Sequence, residues 1–370
     1  MDSKTYCNII KKGLFVSHQG VSLCCVNPIK YNMKPSEFWH GNVRQIAIKN
    51  MEQNQKVKGC DICYNNELQK TPSSRIFYNS YKELESKDLP TMLDLDFSNL
   101  CNLKCIMCNS KRSSEWAKDE GKSIDSISKD LIDDLFEISH DVAAITIQGG
   151  EPSIMKEYEY YFELLDNSSI AKNINLQVIT NATNINKKFY TLLEKFKSVR
   201  LSVSIDAFGK SNDYIRWPSK FDQIEKNLIK LSDCNKAIKI EILNSLNILS
   251  MFNYKDFLVW CKKIEKIYNK KGKYFGLVPM KVVNPIRFSP FIAPLKLKEK
   301  FIDDVKDFLN SENLTHNSNF KTEILMILYR LKKTSTNYDE ISNLKKAVQQ
   351  LDKHRNCDIT KFIPSFYDYI

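Results

Sequence analysis

The sequence predicts an α/β fold with parallel strands, followed by a purely helical region. Between residue 90 and about residue 290, apolar runs of strand length alternate with amphipathic helical stretches. After "NPIRFSP" only helical patterns remain. Strands that alternate with helices in this way are typical of βαβ units in a parallel sheet. Six strands favour a partial (β/α)6 TIM-like barrel over a complete barrel of eight strands.

Each predicted element rests on its own apolar pattern. The first strand, "TMLDLDF", has apolar residues at alternate positions, whereas "VAAITI" is a short continuous apolar run. The predicted strands are residues 91–97, 142–147, 174–180, 199–206, 237–249 and 277–283. The predicted helices are residues 126–139, 156–166, 186–197, 220–232 and 254–270, and then residues 296–311, 318–333 and 339–353. Because such sheets place their chemistry at the carboxyl ends of the strands, functional residues are expected there.

The sequence divides into four regions. A cysteine-rich module with few periodic runs occupies residues 1–70, and a linker follows over residues 71–89. The barrel occupies residues 90–290, and a C-terminal helical extension occupies residues 291–370. At 370 residues, with 42% hydrophobic and 27% charged residues, the chain has the size and composition of a folded protein of about two domains.

Net charge and hydropathy restrict the partners and the cellular location expected for the chain. The net charge is +11, but lysines are interleaved with acidic residues along helical segments, so these are solvated helix faces and no nucleic-acid partner is expected. No apolar stretch approaches the roughly 20 residues of a membrane span. The start, "MDSKTYCNII", shows no secretory signal. A cytoplasmic protein is predicted, in which clustered cysteines serve as ligands or reactive thiols rather than as disulfides.

Three cysteines lie in one short segment directly after the first predicted strand. "CNLKCIMC" places Cys101, Cys105 and Cys108 at C-x3-C-x2-C spacing, and residues 101–108 are called the cysteine loop below. Zinc ribbons supply four ligands as two separated C-x2-C pairs, so this triplet fits zinc poorly. Three thiolates fit a [4Fe–4S] cluster in which one iron stays open for another ligand.

The cysteine loop resembles the cluster loop of the radical S-adenosylmethionine (SAM) enzymes, and further segments resemble the SAM contacts of that family. "ITIQGGEP" ends the second strand, "TNAT" follows the third, and "VSID" ends the fourth. Two glycines let a backbone approach a ligand closely. The resemblance implies that Glu151 pairs with the amino group of SAM, that Ser204 and Asp206 reach the ribose hydroxyls, and that Arg216 of "YIRWP" holds the carboxylate. The implied SAM-binding residues are Gly149, Gly150, Glu151, Asn181, Ser204, Asp206 and Arg216.

The resemblance also implies the cofactors and the reaction. A [4Fe–4S] cluster is held by the three cysteines of the loop, and SAM fills the open position on the fourth iron. Reduction by a protein such as flavodoxin or ferredoxin cleaves SAM and gives a 5′-deoxyadenosyl radical. That radical abstracts hydrogen from a substrate, so the chain is expected to be an enzyme of the oxidoreductase type.

A second cysteine set precedes the barrel, in "YCNII", "LCCVNP" and "GCDIC". It resembles the auxiliary-cluster module called twitch, a shortened relative of SPASM, although in most relatives this module follows the barrel. The resemblance implies a fully ligated auxiliary [4Fe–4S] cluster, with Cys25 as the alternative to Cys24. Its ligands are Cys7, Cys24, Cys60 and Cys63. A zinc knuckle stays open as an alternative, because C-x2-C pairs serve both metals.

Full ligation leaves no iron of the auxiliary cluster for substrate. The cluster then acts as an electron conduit or as a structural staple, and a conduit suits net oxidation. By analogy the first hypothesis is the dehydrogenation of a small metabolite or sugar. A peptide- or protein-modifying enzyme is the alternative, although no leader-peptide module is recognisable. A non-catalytic iron–sulfur or zinc protein is the third hypothesis, and the ordered series of SAM-contact motifs argues against it.

Overall fold

The computed structural model describes residues 5–68, 72–80, 88–234, 238–311 and 318–370. Within these ranges, eight strands form one sheet. They are β1 Gly13–Ser17, β2 Gly20–Ser22, β3 Met92–Asp96, β4 Ala144–Gln148, β5 Asn175–Thr180, β6 Ser198–Ser204, β7 Ile238–Leu246 and β8 Phe275–Lys281. The order in the sheet is β2-β1-β3-β4-β5-β6-β7-β8.

Neighbouring strands of the sheet run parallel wherever their register is defined, except at the first hairpin. β1 pairs with β2 antiparallel and with β3 parallel, so that Ser17 lies opposite Asp96. β3, β4 and β5 continue in parallel, with Asp96 opposite Gln148. β7 and β8 are also parallel. The alternation of strands and helices therefore gives the α/β class that the sequence predicts.

Helices follow most strands and also form the C-terminal part of the chain. They are α1 Ile9–Lys12, α2 Pro35–His40, α3 Asn42–Glu52, α4 Asp61–Leu68, α5 Ser74–Ser80, α6 Ser114–Asp119, α7 Lys129–Glu137, α8 Lys156–Asn167, α9 Lys187–Leu193, α10 Gly209–Ile215, α11 Phe221–Ser232, α12 Tyr254–Lys270, α13 Leu295–Ser311, α14 Ser318–Lys333, α15 Tyr338–Arg355 and α16 Phe366–Tyr369. No helix of the described residues is long and apolar enough to cross a membrane.

All six predicted strands are present as β3 to β8, and β1 and β2 were not predicted. β1, "GLFVS", is five residues long and buried throughout. A short buried run of this kind shows neither the alternation of a half-buried strand nor the length of a helix. The predicted linker contains α5 in its described part, and residues 81–87 of it lie outside the described ranges. The predicted boundary at residue 70 stays a prediction.

The chain divides into two compact units. Unit 1 comprises Met1–Cys101, Ser110–Ile179 and Asn186–Val199. Unit 2 comprises Asn102–Asn109, Thr180–Ile185 and Arg200–Ile370. The chain therefore passes from unit 1 to unit 2 and back within the cysteine loop and its flank.

In unit 1, a buried tyrosine joins the carboxyl ends of β3 and β4. The Tyr158 hydroxyl donates to the carbonyl oxygens of Leu95 (2.8 Å) and Gln148 (2.7 Å) and accepts from the backbone N–H of Phe97 (3.2 Å). Its ring stacks on that of Phe97, with the centroids 4.6 Å apart. Because every polar atom of this side chain is satisfied inside the core, Tyr158 fixes the start of the cysteine loop relative to the turn after β4.

Candidate active site

The turn after β4 is bonded to the backbone that leads from β3 into the cysteine loop. The N–H of Gly150 donates to the carbonyl of Ser98 (3.0 Å), and that of Glu151 donates to the carbonyl of Leu100 (2.7 Å). The segment that carries Cys101 and the Gly-Gly-Glu-Pro turn are thus one hydrogen-bonded assembly within unit 1.

The two glycines of this turn are required by the protein's own backbone. Gly149 has φ +109°, a conformation that side chains disfavour, and a Cβ there would lie 2.5 Å from Oδ1 of Asp96. A Cβ on Gly150 would collide with the carbonyl of Leu100. From the sequence, these glycines were expected to allow the close approach of a ligand. The structure adds a second reason, the close approach of the Ser98–Leu100 backbone.

Glu151 and Cys101 are both anchored locally. The Glu151 side chain is fully buried, and its Oε1 accepts from the N–H of Ser153 (3.1 Å), which caps the short 3₁₀ helix Pro152–Ile154. Cys101 is half-buried, and its backbone N–H and C=O both bond to the Ser114 hydroxyl at 3.0 Å. The Ser114 hydroxyl at the start of α6 therefore holds the backbone of the first loop cysteine.

In unit 2, the rest of the cysteine loop is held by the segment after α10 and by α15. The N–H of Lys104 donates to the Trp217 carbonyl (2.5 Å), and that of Ile106 donates to the Ile215 carbonyl (2.9 Å). Arg355 near the end of α15 donates through Nη2 to the Lys104 carbonyl (2.7 Å) and through Nη1 to the Tyr214 carbonyl (2.8 Å). The loop backbone is therefore fixed by partners that are distant in sequence.

Asn181 contacts the cysteine loop through its amide. Its Nδ2 donates to Oδ1 of Asn102 (2.9 Å), and Asn102 Nδ2 donates to the Thr183 hydroxyl (2.8 Å). The hydroxyl of Thr183 donates in turn to Oδ1 of Asn181 (2.7 Å). This closed ring of three polar side chains ties the turn after β5 to the loop within unit 2.

Arg216 and Asp206 form a buried ion pair beside Cys105. Arg216 Nε lies 2.7 Å from Asp206 Oδ2, and Nη2 donates to Oδ1 (3.2 Å). The remaining terminal nitrogen, Nη1, donates to the sulfur of Cys105 at 3.9 Å. The Asp206 side chain is fully buried. Ser204 lies two residues earlier, at the end of β6, and is half-buried.

The electrostatics of this group keep the guanidinium charged. Burial lowers the pKa of Arg216, but the negative charges of Asp206 and Cys105 outweigh burial and raise that pKa above its ordinary value. Burial raises the pKa of the Cys105 thiol to about 12, and the Arg216 charge opposes this rise. The Arg216 charge thus partly offsets the effect of burial and acts in favour of the thiolate, the form in which sulfur binds metals.

Four N-terminal cysteines line one cavity in unit 1. Cys7, Cys24, Cys60 and Cys63 surround a space of about 30 Å³, called the N-terminal cavity below, whose walls are mainly apolar side chains such as Ile9, Leu23 and Tyr64. The four thiols line this space rather than converging on one point. Among the described residues, no three His, Cys, Asp or Glu side chains meet closely enough to hold a single metal ion.

The chemistry of this donor set fits a thiolate-bound cluster. Burial, with a contribution from neighbouring thiols of the set, raises the pKa of Cys7 and of Cys60 to about 12. Such thiols release their protons when a metal ion binds. Asn27 donates through Nδ2 to the sulfur of Cys60 at 3.9 Å, a contact of the kind that tunes iron–sulfur clusters.

The adjacent cysteines Cys24 and Cys25 point into different surroundings. Cys24 lines both the N-terminal cavity and a second space, whereas Cys25 lines only the second space, together with Asp94 and Tyr78. Burial raises the pKa of Cys25, and the Asp94 carboxylate raises it further. The geometry therefore favours Cys24 over Cys25 for the auxiliary set.

Sequence reasoning missed a polar group at the carboxyl end of β3. Asp96 is nearly buried, with Nδ1 of His18 3.6 Å from Oδ1 and Nη1 of Arg112 3.6 Å from Oδ2. Burial lowers the pKa of His18, but the interaction with Asp96 outweighs burial and raises it. His18 follows β1, so the missed strand also hid this residue. The position of Asp96 at the end of a predicted strand was the available signal.

Comparison with known families places these features in context. Residues 95–258 match the profile described as the radical SAM superfamily. Residues 95–258 therefore form a radical SAM domain. The matched segment contains the cysteine loop and every residue predicted to contact SAM, and the auxiliary cysteines lie outside it. Radical SAM domains use a [4Fe–4S] cluster and SAM, so both are cofactors of this domain.

Two curated relatives match parts of this radical SAM chain. The sporulation killing factor maturation protein SkfB of Bacillus subtilis (strain 168) is 25% identical over 186 residues, which are 50% of this chain and 43% of SkfB. The Fe-coproporphyrin III synthase of Methanosarcina barkeri (strain Fusaro / DSM 804) is 28% identical over 173 residues, which are 44% of this chain and 38% of the synthase. The chain spans less than half the length of each relative.

Among solved structures, SuiB of Streptococcus suis bound to S-adenosylmethionine aligns with this radical SAM chain at a TM-score of 0.41 and 14% identity. The alignment covers 80% of this chain and 68% of SuiB.

Proposed function

We propose that this radical SAM enzyme holds its SAM-binding cluster through Cys101, Cys105 and Cys108 and modifies a peptide substrate. The C-x3-C-x2-C spacing, inside the matched radical SAM segment, is the observation that carries the ligand assignment. Bound SAM supplies, after one-electron reduction, a 5′-deoxyadenosyl radical that abstracts hydrogen from the substrate. Reduction is assigned to a low-potential carrier such as flavodoxin or ferredoxin.

The chain's own residues position SAM in this proposal. Glu151 is assigned to the SAM ammonium, because a buried carboxylate forms a strong charge-assisted hydrogen bond. Gly149 and Gly150 set the turn that presents it. Asn181 and Ser204 lie at the carboxyl ends of β5 and β6, where substrates of parallel α/β proteins bind. They are assigned to polar contacts with SAM.

The peptide assignment is supported by one curated relative. SkfB, whose name describes the maturation of a sporulation killing factor, matches this chain over 186 residues. This relative favours a peptide over the small metabolite or sugar that the sequence analysis placed first.

The N-terminal cavity is assigned to an auxiliary [4Fe–4S] cluster. One buried and three half-buried thiols line it, with no carboxylate among the described lining residues, and this is the donor set of an iron–sulfur or a zinc centre. Four protein ligands leave no coordination position for substrate. The auxiliary cluster is therefore proposed to carry electrons or to staple the N-terminal segment.

A small-molecule oxidation is the second candidate. The relative named Fe-coproporphyrin III synthase matches 173 residues of this chain, and its name describes a small-molecule product. With an electron-carrying auxiliary cluster, the corresponding reaction here is the dehydrogenation of a metabolite or sugar.

The first experiment measures SAM cleavage. The protein is purified and reconstituted anaerobically, and 5′-deoxyadenosine is quantified after addition of SAM and dithionite. Iron and sulfide are expected to correspond to two [4Fe–4S] clusters, and the nucleoside is expected to form. Protein that contains zinc alone, or that carries its full iron and forms no 5′-deoxyadenosine, contradicts the proposal.

The second experiment separates the two substrate classes. Short peptides encoded beside the gene are incubated with the reconstituted enzyme, SAM and dithionite, and their masses are compared before and after. A mass change that depends on SAM and stoichiometric formation of 5′-deoxyadenosine support peptide modification. Unchanged peptides, together with turnover of a metabolite of the neighbouring enzymes, favour the second candidate.

A further inference from the structure

The side chain of Arg216 is directed at Asp206 and Cys105 inside unit 2. Its backbone N–H donates to the Asn212 carbonyl (2.8 Å) at the end of α10, and only 9% of the residue is exposed. The guanidinium faces Asp206 with two nitrogens and the sulfur of Cys105 with the third. All three nitrogens of the side chain are therefore directed at Asp206 or Cys105, and the residue is buried in this orientation.

Asp206 is also held in place by hydrogen bonds within the protein. Its Oδ1 accepts from the N–H of Ser245 (2.8 Å) as well as from Arg216. Its backbone N–H donates to Oδ1 of Asn212 (3.0 Å), and its carbonyl accepts from Nδ2 of Asn244 (3.0 Å). A carboxylate that is fully buried and held in this way is a fixed counter-ion for the guanidinium.

The position of the guanidinium has a direct electrostatic consequence for a cluster bound by Cys105. An N–H group that donates to a ligand sulfur stabilises the more negative state of an iron–sulfur cluster, and hydrogen bonds to the sulfurs are among the features that set its potential. The positive charge adds to this effect in a site with little water. Asp206 partly cancels the charge and holds the side chain in its orientation.

We propose that Arg216 and Asp206 are a positioning pair that tunes the SAM-binding cluster through the sulfur of Cys105, and that Arg216 does not hold the SAM carboxylate. Arg216 raises the reduction potential of the cluster, and Asp206 limits that rise. The electron comes from a low-potential reductant, and the cluster gains one negative charge. The inference rests on the proposed function, because it requires Cys105 to be a cluster ligand.

The test measures the reduction potential of the reconstituted protein in the absence of SAM. The wild type and the variants Arg216→Gln, Arg216→Lys and Asp206→Asn are titrated with dithionite, and the reduced loop cluster is followed by electron paramagnetic resonance. Cys60→Ala in each background removes the signal of the N-terminal cavity if it overlaps. SAM affinity is measured separately by equilibrium dialysis of radiolabelled SAM.

Opposite shifts are expected for the two partners. Arg216→Gln lowers the ratio of reduced to oxidised cluster about tenfold at a fixed potential, which corresponds to about 59 mV for one electron. Asp206→Asn raises the ratio, because the guanidinium then lacks its counter-ion. Arg216→Lys restores part of the wild-type ratio through its charge. A merely structural role predicts no such reversal of sign.

A matched control is available in the same unit. Arg200 also forms an ion pair, with its Nη1 3.2 Å from Oε1 of Glu241, but its side chain is 43% exposed. Arg200→Gln removes the same charge and is expected to leave the potential unchanged, because solvent screens exposed charges.

Three outcomes overturn the inference. Arg216→Gln with normal iron content, an unchanged SAM-free potential and weakened SAM binding returns Arg216 to the SAM carboxylate. Shifts of the same sign in Arg216→Gln and Asp206→Asn reduce the pair to a structural role. If Arg216→Gln fails to fold, unchanged potentials in both Arg216→Lys and Asp206→Asn overturn it. Wild-type protein without a SAM-cleaving cluster contradicts the proposed function instead.

Discussion

The cysteine loop and the N-terminal cavity present thiols in two different ways. The loop offers three thiols within eight consecutive residues, so they are neighbours in the sequence. The cavity draws four thiols from separate segments, at Cys7, Cys24 and the pair Cys60 and Cys63, and closes them in with apolar walls. Three local donors suit a cluster with a vacant position, and four distant donors suit a saturated one. The number of thiol ligands, and whether they come from one segment or several, therefore distinguish the proposed catalytic cluster from the proposed auxiliary cluster.

The largest expected effect comes from removing one thiol of the loop. Cys105→Ala is expected to abolish the formation of 5′-deoxyadenosine and to lower the iron content by about one cluster, because two thiolates do not retain a [4Fe–4S] cluster in a radical SAM site. The N-terminal cavity should keep its iron. Iron analysis and the SAM cleavage assay check both statements.

The control for this variant is Cys234→Ala. Cys234 is half-buried, lies after α11 and was not assigned to a metal. It should retain both the iron and the cleavage activity. If Cys105→Ala cleaves SAM as fast as Cys234→Ala does, the contrast between the two thiol sets is lost.

The N-terminal cavity is tested by the adjacent pair of cysteines. Cys24→Ala is expected to lose about one cluster and to lower the thermal midpoint by several degrees, since metal binding contributes folding energy. Cys25→Ala should keep the iron, because Cys25 faces Asp94 and Tyr78 instead. Iron analysis and a thermal melt at a fixed scan rate distinguish them.

Cleavage of SAM without substrate should survive in Cys24→Ala, because the cavity is not the catalytic centre in this comparison. Iron loss in Cys25→Ala with retention in Cys24→Ala would invert the assignment of the two side chains. Loss of SAM cleavage in Cys24→Ala, in protein that still folds, would show that the N-terminal cavity is also required for SAM cleavage.

A smaller effect is expected at the turn beside the loop. Gly150→Ala places a methyl group against the Leu100 carbonyl, and overpacking of this kind costs about 1–3 kcal/mol. The turn belongs to the assembly that carries Cys101, so the signal of the loop cluster should broaden while that of the cavity stays unchanged. Thermal melts and electron paramagnetic resonance report the two effects.

Gly121→Ala is the comparison for this variant. Gly121 has φ +66° and no atom within 4 Å of the added methyl group, so it tests backbone strain without a collision. If Gly150→Ala is no more harmful to the loop cluster than Gly121→Ala, the close approach of the turn to Leu100 does not matter for that cluster.

The smallest expected effect is a pH dependence of the folding stability at Asp213 in α10, the helix that precedes the segment bonded to the cysteine loop. Burial raises the pKa of Asp213 to about 6, above the value of about 4 in an unfolded chain. The folded state therefore binds the proton more tightly, so the stabilisation is present below pH 4 and is lost as the pH rises through 6. Asp213→Asn should remove this part of the slope.

Thermal midpoints of the wild type and of Asp213→Asn between pH 4 and pH 7 check this sign. The difference between the two curves should change up to about pH 6 and then stay constant. Curves that run parallel over the whole range contradict it. The iron of the N-terminal cavity should not respond differently in the two proteins.

The sequence predicted the α/β class and the six strands from β3 to β8 because their apolar runs and intervening helices are local patterns. β1 and β2 escaped because β1 is stabilised by parallel pairing with a strand about 80 positions later, and no local pattern reports such a partner. His18, which follows β1, was missed for the same reason.

The candidate site likewise contains features that the local sequence predicts and features that depend on tertiary packing. Cys101, Cys105 and Cys108 lie within eight consecutive residues, so their spacing could be recognised from the sequence alone. The pairing of Arg216 with Asp206, and the choice between Cys24 and Cys25, depend on side-chain direction within a packed core. Neither follows from residue type and spacing, since Arg216 and Asp206 each match a family motif separately.

The contact between Arg355 and Lys104 joins residues 251 positions apart. A ribosome therefore completes the three loop thiols long before it adds the guanidinium that holds the Lys104 carbonyl. A nascent chain that lacks α15 has the thiols without this support. Maturation machinery that delivers iron and sulfide is expected to act only after α15 has been synthesised.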